Sequence, residues 1–312
     1  MSLAYLRSDA DHLAGRGAAR VLLRESLACG KDIALATGLG RGSSRLALPY
    51  WMARRFVGAA GTPLDSDRLI HLTLSTAGGH DARVCIRRNQ SDLLILRQVF
   101  MERSYDLNTI YRLDDRINRL ETIVDLGGNT GLAAAYLTAR YRPETLLSVE
   151  PIPANQAMLR RNRALSGMDW IVEDAAVAGT ARPLDFAVSG FWDTCTAVEE
   201  VIELRRSRPY RLENVLARPS ITVPARTVAD LLEHHHLGHV DLLKVDVEGS
   251  EAEIFAAPQP WMRQVERIVL EVHDKYIDGE RVRDTMRAAG FRRVEPRAPH
   301  PEGFNPVELY VR

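Results

Sequence analysis

Lysine is almost missing from this sequence of 312 residues. Only Lys31, Lys244 and Lys275 are present, and the rest of the 41 basic residues are arginine. Together with abundant alanine, this reads as the coding bias of a GC-rich genome, so arginine clusters carry little functional weight. Cysteine is equally scarce: Cys29, Cys85 and Cys195 lie far apart and form no C-x-x-C pair. That excludes a disulfide framework and favours a reduced, intracellular protein. Net charge is zero, with 41 acidic against 41 basic residues. No global field therefore draws the chain to nucleic acid or to an anionic membrane, and neither is expected as a partner. There is no run of 18 apolar residues and no basic stretch leading into an apolar core at the N-terminus. A soluble, cytoplasmic protein is the expectation.

What is present is ordinary globular composition, 46% hydrophobic and 26% charged, in a chain long enough for one large domain plus an extension. Residues 1 to about 60 carry helical patterns, with Pro49 and Pro63 as interruptions. RLIHLTLS and ARVCIRR, joined by TAGGHD, read as a β-hairpin turned by Gly78-Gly79. SDLLILRQVFMERSYDL then opens a helix with Ser91 as its cap. From residue 121 short apolar strands alternate with helices: TIVDLG, LLSVE, WIVEDAAV, PLDFAVS, ITVP, VDLLKVDVE and RIVLEVH. The segment 190–219 between two of these is polar. FRRVEPR and VELYVR end the chain as strands with no room for a crossover helix, hence a hairpin. Strands apolar on both faces imply a doubly wound, mostly parallel α/β sheet covered by helices. The predicted division is an extension over 1–110, acting as a lid or a dimer contact, and a catalytic domain over 111–312. Ligands of such sheets bind at the carboxyl ends of the strands.

VDLGGNTG follows a strand and precedes a helix, as a nucleotide loop should. Its spacing is D-x-G-x-x-x-G, led by Asp125, rather than G-x-G-x-x-G. A leading acid would repel a pyrophosphate but suits a ligand with an ammonium group, such as S-adenosylmethionine (SAM). Glu150, ending LLSVE, is placed to accept both ribose hydroxyls. A structural turn followed by a solvated acid is the plain alternative.

VDLGGNTG, SVEP, VDLLKVDVEGSE and IVLEVH together resemble the FkbM family of SAM-dependent methyltransferases, within the seven-stranded class I methyltransferase fold. The resemblance spans about residues 90–312. It implies a Rossmann-like sheet with an antiparallel C-terminal hairpin and, as typical activity, O-methylation of hydroxyls on secondary metabolites and sugars. It further implies that Asp125, Gly127, Gly128, Asn129 and Gly131 line the methionine moiety, that Glu150 holds the ribose, and that Asp174 contacts the adenine amine. Glu173 becomes the adenine contact if the register slips by one.

Methyl transfer to an aliphatic hydroxyl needs a base or a metal beside the acceptor oxygen. Two strand ends supply candidates. One carries Lys244, Asp246 and Glu248 on one face at period two, and the other carries Glu271, His273 and Asp274. His273 has the side-chain chemistry of a base near neutral pH, with a buried core histidine as the alternative. Asp246 could orient the acceptor, take its proton or hold the SAM amine. Glu248 would support it, while Ser250 and Glu251 would start the next helix. Lys244 is expected to neutralise a buried acid, Asp246 or Asp125. Asp246, Glu271, His273 and Asp274 could instead converge on one divalent metal such as Mg, which the spacing permits without demanding. Trp192, Tyr210 and nearby arginines offer an acceptor wall or a solvated loop, and the run His234 to His236 ends a helix. Two rival functions are an NAD(P)-dependent oxidoreductase and a fold that binds SAM without catalysis. The missing third glycine position and the absence of a Tyr-x-x-x-Lys pair disfavour the first.

Overall fold

The computed structural model describes residues 16–58, 68–186, 221–298 and 307–312. The polar segment with Trp192 and Tyr210 lies outside these residues, as does Pro63. No helix among those described is long and apolar enough to cross a membrane.

The chain opens with helices α1 (Arg16–Leu39) and α2 (Ser44–Gly58), then the hairpin β1 (Leu69–Ser75) and β2 (Asp81–Arg87). Pro49 sits inside α2 rather than breaking it. Helix α3 (Gln90–Leu96) runs into a π-helical turn, Arg97–Met101. Its cap is Asn89, whose side chain accepts the Asp92 N–H, and not Ser91. After the short α4 (Leu107–Ile110) come β3 (Thr122–Leu126), α5 (Leu132–Tyr141), β4 (Thr145–Val149), α6 (Pro153–Ser166) and β5 (Ile171–Glu173). Strands β6 (Ala176–Val177), β7 (Pro183–Phe186) and β8 (Ile221–Arg226) follow. Then come α7 (Val228–His234), β9 (Leu242–Val245), α8 (Glu251–Ile254), β10 (Arg267–Glu271), α9 (Gly279–Ala288), β11 (Arg292–Val294) and β12 (Val307–Val311).

Seven strands form the main sheet in the order β11-β12-β10-β9-β3-β4-β5. β3, β4, β5, β9 and β10 are parallel, and β12 runs against both β10 and β11. This is the doubly wound class I methyltransferase sheet with its terminal hairpin. Expected strands β6, β7 and β8 do not join it but pair with one another in a small separate sheet.

Alternation within the strands sorts the core into two halves. Val124, Leu126, Leu147, Leu243 and Leu270 face α7 and α9. Ile123, Leu146, Leu242 and Val269 face the other side, where α5, α6 and the N-terminal hairpin share one continuous buried cluster. Residues of the N-terminal extension, such as Leu48, Met52, Leu72 and Val84, therefore pack into the catalytic domain's own core.

The chain leaves β3 for β4 on one side and returns to β9 on the other, so the switch point lies between β3 and β9. There the backbones nearly touch. Gly127 has φ +79, and a Cβ at that position would stand 1.8 Å from the Asp246 carbonyl oxygen. At Gly128 it would meet Ser148 Oγ at 2.1 Å. The glycines are thus required by packing between strand ends.

Gly127→Ala is expected to destabilise the protein by roughly 3 kcal/mol or more, because strain and a backbone clash add. Gly167→Ala, which has a positive φ of 76 but open space around its Cα, should cost only about 1–2 kcal/mol. Urea unfolding of the two variants measures the difference.

Candidate active site

Asp125 and Lys244 are register partners on adjacent strands, as are Asp125 and Ser148. All three point to the same sheet face and are buried. Lys244 Nζ lies 2.9 Å from Asp125 Oδ1, an ion pair without hydrogen-bond alignment at that oxygen. Ser148 Oγ donates to Asp125 Oδ2 at 2.9 Å. The ammonium also donates to the carbonyls of Leu126 (3.3 Å) and Gly127 (2.8 Å), and stands 5.6 Å from the centre of the Tyr105 ring. Burial alone would lower the Lys244 pKa, but Asp125 and then Asp246 hold it above its ordinary value. Of the two acids Lys244 could neutralise, Asp125 is the nearer, and Asp125, read in the sequence as lining the methionine moiety, is buried with its carboxylate oxygens against Lys244 and Ser148. Asp246, 3.9 Å from Nζ, is the secondary partner and retains 27% side-chain exposure.

Glu150 is 4% exposed and turned inward. Its carboxylate accepts the N–H groups of Asn129 (2.8 Å) and Ile152 (2.9 Å) and the Asn155 amide (3.4 Å). Burial pushes its pKa up to about 7, against the lowering effect of those donors. Asn129 takes φ +47, and its Oδ1 accepts the Thr130 N–H at 2.7 Å. Two connections run from here to the N-terminal hairpin. Arg87, paired with buried Asp92, donates to Asn155 Oδ1 at 3.0 Å. Asn162 donates to Cys85 O and Thr130 O and accepts from Cys85 N. Asp174 sits at the rim, half-exposed, in a bidentate pair with Arg160. Glu173 is within 3.3 Å of both Arg226 and His235.

His273 is 1% exposed at the end of β10. Its Nδ1 lies 2.8 Å from Glu251 Oε1, while Nε2 stands 3.7 Å from Glu248 and 3.9 Å from Glu271. Burial disfavours its charged form, yet Glu251, then Glu248 and Glu271, hold its pKa well above the ordinary value. The acids around His273 favour its charged form, which weighs against its reading as the base. Glu251 is fully buried and serves His273, so it does more than begin α8. Ser250 makes no side-chain cap. Glu248, at φ +53, and Gly249 turn the chain back so that Glu251 can reach β10. Glu248, expected to support Asp246, has its carboxylate 3.7 Å from His273 Nε2. Of the four residues expected to meet around a metal, Asp246, Glu271 and His273 converge, with ligand atoms within 4.8 Å of one another. Asp274 does not join them, because it forms a two-point pair with Arg283 on α9.

Glu251 is the functional residue that sequence reading undervalued. Its signal was present: an acid six positions past the end of one parallel strand can face the end of the neighbouring strand.

The sign of the Glu150 effect is fixed by its raised value. The folded state binds the proton more tightly than the unfolded one, so stability falls as pH rises from the ordinary carboxylate range through about 7. The stability of the wild type relative to Glu150→Gln should decline by up to about 3 kcal/mol between pH 4 and pH 8 in chemical unfolding. Lys244→Met should cost roughly 3–5 kcal/mol by stranding Asp125, whereas Asp125→Asn with Lys244→Met should recover most of the loss.

Comparison with known proteins gives the family of the chain. The family described as the methyltransferase FkbM domain matches residues 125–293. Methyltransferase 1 of Beauveria bassiana (strain ARSEF 2860) is 26% identical over 210 residues, covering 63% of this chain and 80% of that protein. The 31-O-demethyl-FK506 methyltransferase FkbM of Streptomyces tacrolimicus is 27% identical over 225 residues, covering 66% and 84%. Among solved structures, methyltransferase FkbM from Methylobacillus flagellatus KT aligns with TM-score 0.42 at 13% identity. That alignment covers 70% of this chain and 53% of the other, so this chain spans about half its length. With more than half of its residues matched by that domain, the chain belongs to the FkbM family of methyltransferases.

Proposed function

We propose that this methyltransferase moves a methyl group from S-adenosylmethionine to a hydroxyl oxygen of a small molecule. The observation that carries this reading is the partly exposed carboxylate of Asp246 beside the glycine loop, at the switch point of the sheet. An S. tacrolimicus relative whose name describes a 31-O-methylation supports the oxygen acceptor.

Bound SAM supplies a methyl group made electrophilic by its sulfonium sulfur. The donor set fits its non-phosphate chemistry. The loop from Gly127 to Gly131 lies at the mouth of β3, and Glu150, though turned inward, keeps lone pairs beyond its three protein donors. Asp174 stands where an exocyclic amine could replace one contact with Arg160. Asp246 takes the acceptor's proton. A carboxylate suffices for this if the proton leaves late, when the oxygen already carries positive charge and is strongly acidic. Lys244 and His273 hold protons of their own, and Tyr105 has its pKa raised by burial and then by Asp246 and Glu271. None of the three competes with Asp246 as a base.

The test is methyl-labelled SAM offered with hydroxyl-bearing sugars and polyketides, followed by identification of a methyl ether. Asp246→Asn is expected to lower kcat by about 100-fold or more while calorimetric affinity for S-adenosylhomocysteine stays within a few fold. Label appearing only on amine acceptors would sink the oxygen assignment. NADH raising the melting temperature where S-adenosylhomocysteine does not would sink the methyl-transfer reading.

A further inference from the structure

The cluster at the ends of β9 and β10 is built around an imidazole whose two nitrogens have different roles. Nδ1 is fixed by Glu251, which is fully buried and 2.8 Å away. The same Glu251 oxygen accepts the Val247 N–H at 3.3 Å, so the carboxylate is anchored to the β9 turn rather than free to swing. The ring lies nearly parallel to that of Tyr276, at 6.4 Å and 18°. Nε2 is thereby turned toward Glu248 and Glu271, and ligand atoms of Asp246, Glu271 and His273 lie within 4.8 Å of one another. Its nearest carboxylate oxygens are those of Glu248 at 3.7 Å and Glu271 at 3.9 Å, both beyond hydrogen-bond reach, although His273 is 1% exposed.

A nitrogen held this far from the carboxylates around it has the spacing of ligands about a shared ion. For bonds of about 2.1 Å around one small divalent cation, ligand atoms lie roughly 3.0 Å apart when adjacent and 4.2 Å when opposite. The 3.9 Å between Glu271 and Nε2 falls inside that interval, and the whole set of three atoms spans at most 4.8 Å. A metal-ligating histidine ordinarily donates its other N–H to a carboxylate, which sets the tautomer and the ring plane. Glu251 occupies that position. Two carboxylates and one imidazole make a hard, mostly oxygen donor set, suited to Mg²⁺ or Mn²⁺ rather than to a thiolate-loving ion.

We propose that Asp246, Glu271 and His273 Nε2 bind one divalent cation of the Mg²⁺ or Mn²⁺ class, with Glu251 as the residue that positions the imidazole. Its purpose rests on the methyl-transfer reading, since the ion would polarise the acceptor hydroxyl beside the cofactor loop. Asp246 bound through one oxygen keeps the other for the acceptor's proton. Its existence does not rest on that reading.

The experiment is Mn²⁺ titration of the full chain, stripped with EDTA, followed by the loss of the free-ion electron paramagnetic resonance signal. One saturable site per chain is expected. Asp246→Asn with Glu271→Gln, both at partly exposed side chains, should remove it while circular dichroism and melting temperature are kept. Glu251→Gln, which can still accept from Nδ1, should weaken binding by about 10-fold, and Glu251→Leu by about 100-fold. Absence of saturable binding to the wild type would overturn the site. Binding that survives the Asp246→Asn, Glu271→Gln pair would also overturn it, because Glu173 with His234 and His235, or His239 with Asp241 and Glu266, would then be the sites occupied. S-adenosylhomocysteine calorimetry on the stripped protein separates the two ideas. Normal affinity without Mn²⁺ binding leaves methyl transfer standing and removes the cation. Mn²⁺ binding without S-adenosylhomocysteine affinity does the reverse.

Discussion

The buried ion pair between Asp125 and Lys244 is the constraint on which the rest of the site depends. Two charges taken out of water are unfavourable unless their remaining bonding capacity is filled. Here Ser148 serves the second carboxylate oxygen, and the ammonium spends its other donors on the carbonyls of Leu126 and Gly127. The pair therefore does more than cancel charge across β3 and β9. It pins the first residues of the glycine loop, where Gly127 passes against the Asp246 carbonyl with no room for a side chain. It also decides which acid stays open to the crevice. Asp125 is sealed in, and Asp246 is left partly open two residues past its lysine.

Much of the architecture could be read from the chain because it depends on local period. Apolar runs gave β3, β4, β9 and β10 as buried parallel strands, and the short spacing of the last two strands gave the terminal hairpin. Rules of this kind are silent on partners across a sheet. Lys244 was expected to neutralise either Asp125 or Asp246, and the choice between them rests on the register of strands whose paired residues lie more than a hundred positions apart. Asp274 was grouped with His273 because they are adjacent, but the chain turns after β10 and hands Asp274 to Arg283. The strands of 176–226 have sound sequence patterns yet build a separate sheet, since nothing local says which edge a strand will choose.

The carboxylates that follow β9 show why residue type alone misassigns roles. Asp246, Glu248 and Glu251 are chemically similar and lie within six positions. Strand geometry leaves the first at the crevice, a left-handed turn sends the second toward His273, and the third is buried beneath the imidazole. Their combined field makes His273 a holder of positive charge. A neutral imidazole there requires another cation to take over the surrounding carboxylates. The charges around this histidine therefore disfavour its acting as a general base.

The precision of the cofactor side of the site has a source outside the residues that match the family domain. That match begins at Asp125. Yet Arg87 orients Asn155, which touches Glu150, and the Cys85 backbone orients Asn162, which holds the Thr130 carbonyl of the loop. Both connections pass through α6 from strand β2 of the N-terminal hairpin. Arg87 is itself held by Asp92 at the start of α3, so the bracing group is locked before it reaches the site. Hydrogen bonds of this kind act by limiting where an acid and a loop can sit, and such limits are what a displacement reaction needs from its binding groups. The hairpin is thus tied to the site in a physical sense: its core is continuous with that of the sheet, and its polar groups lead through α6 to Glu150 and to the glycine loop.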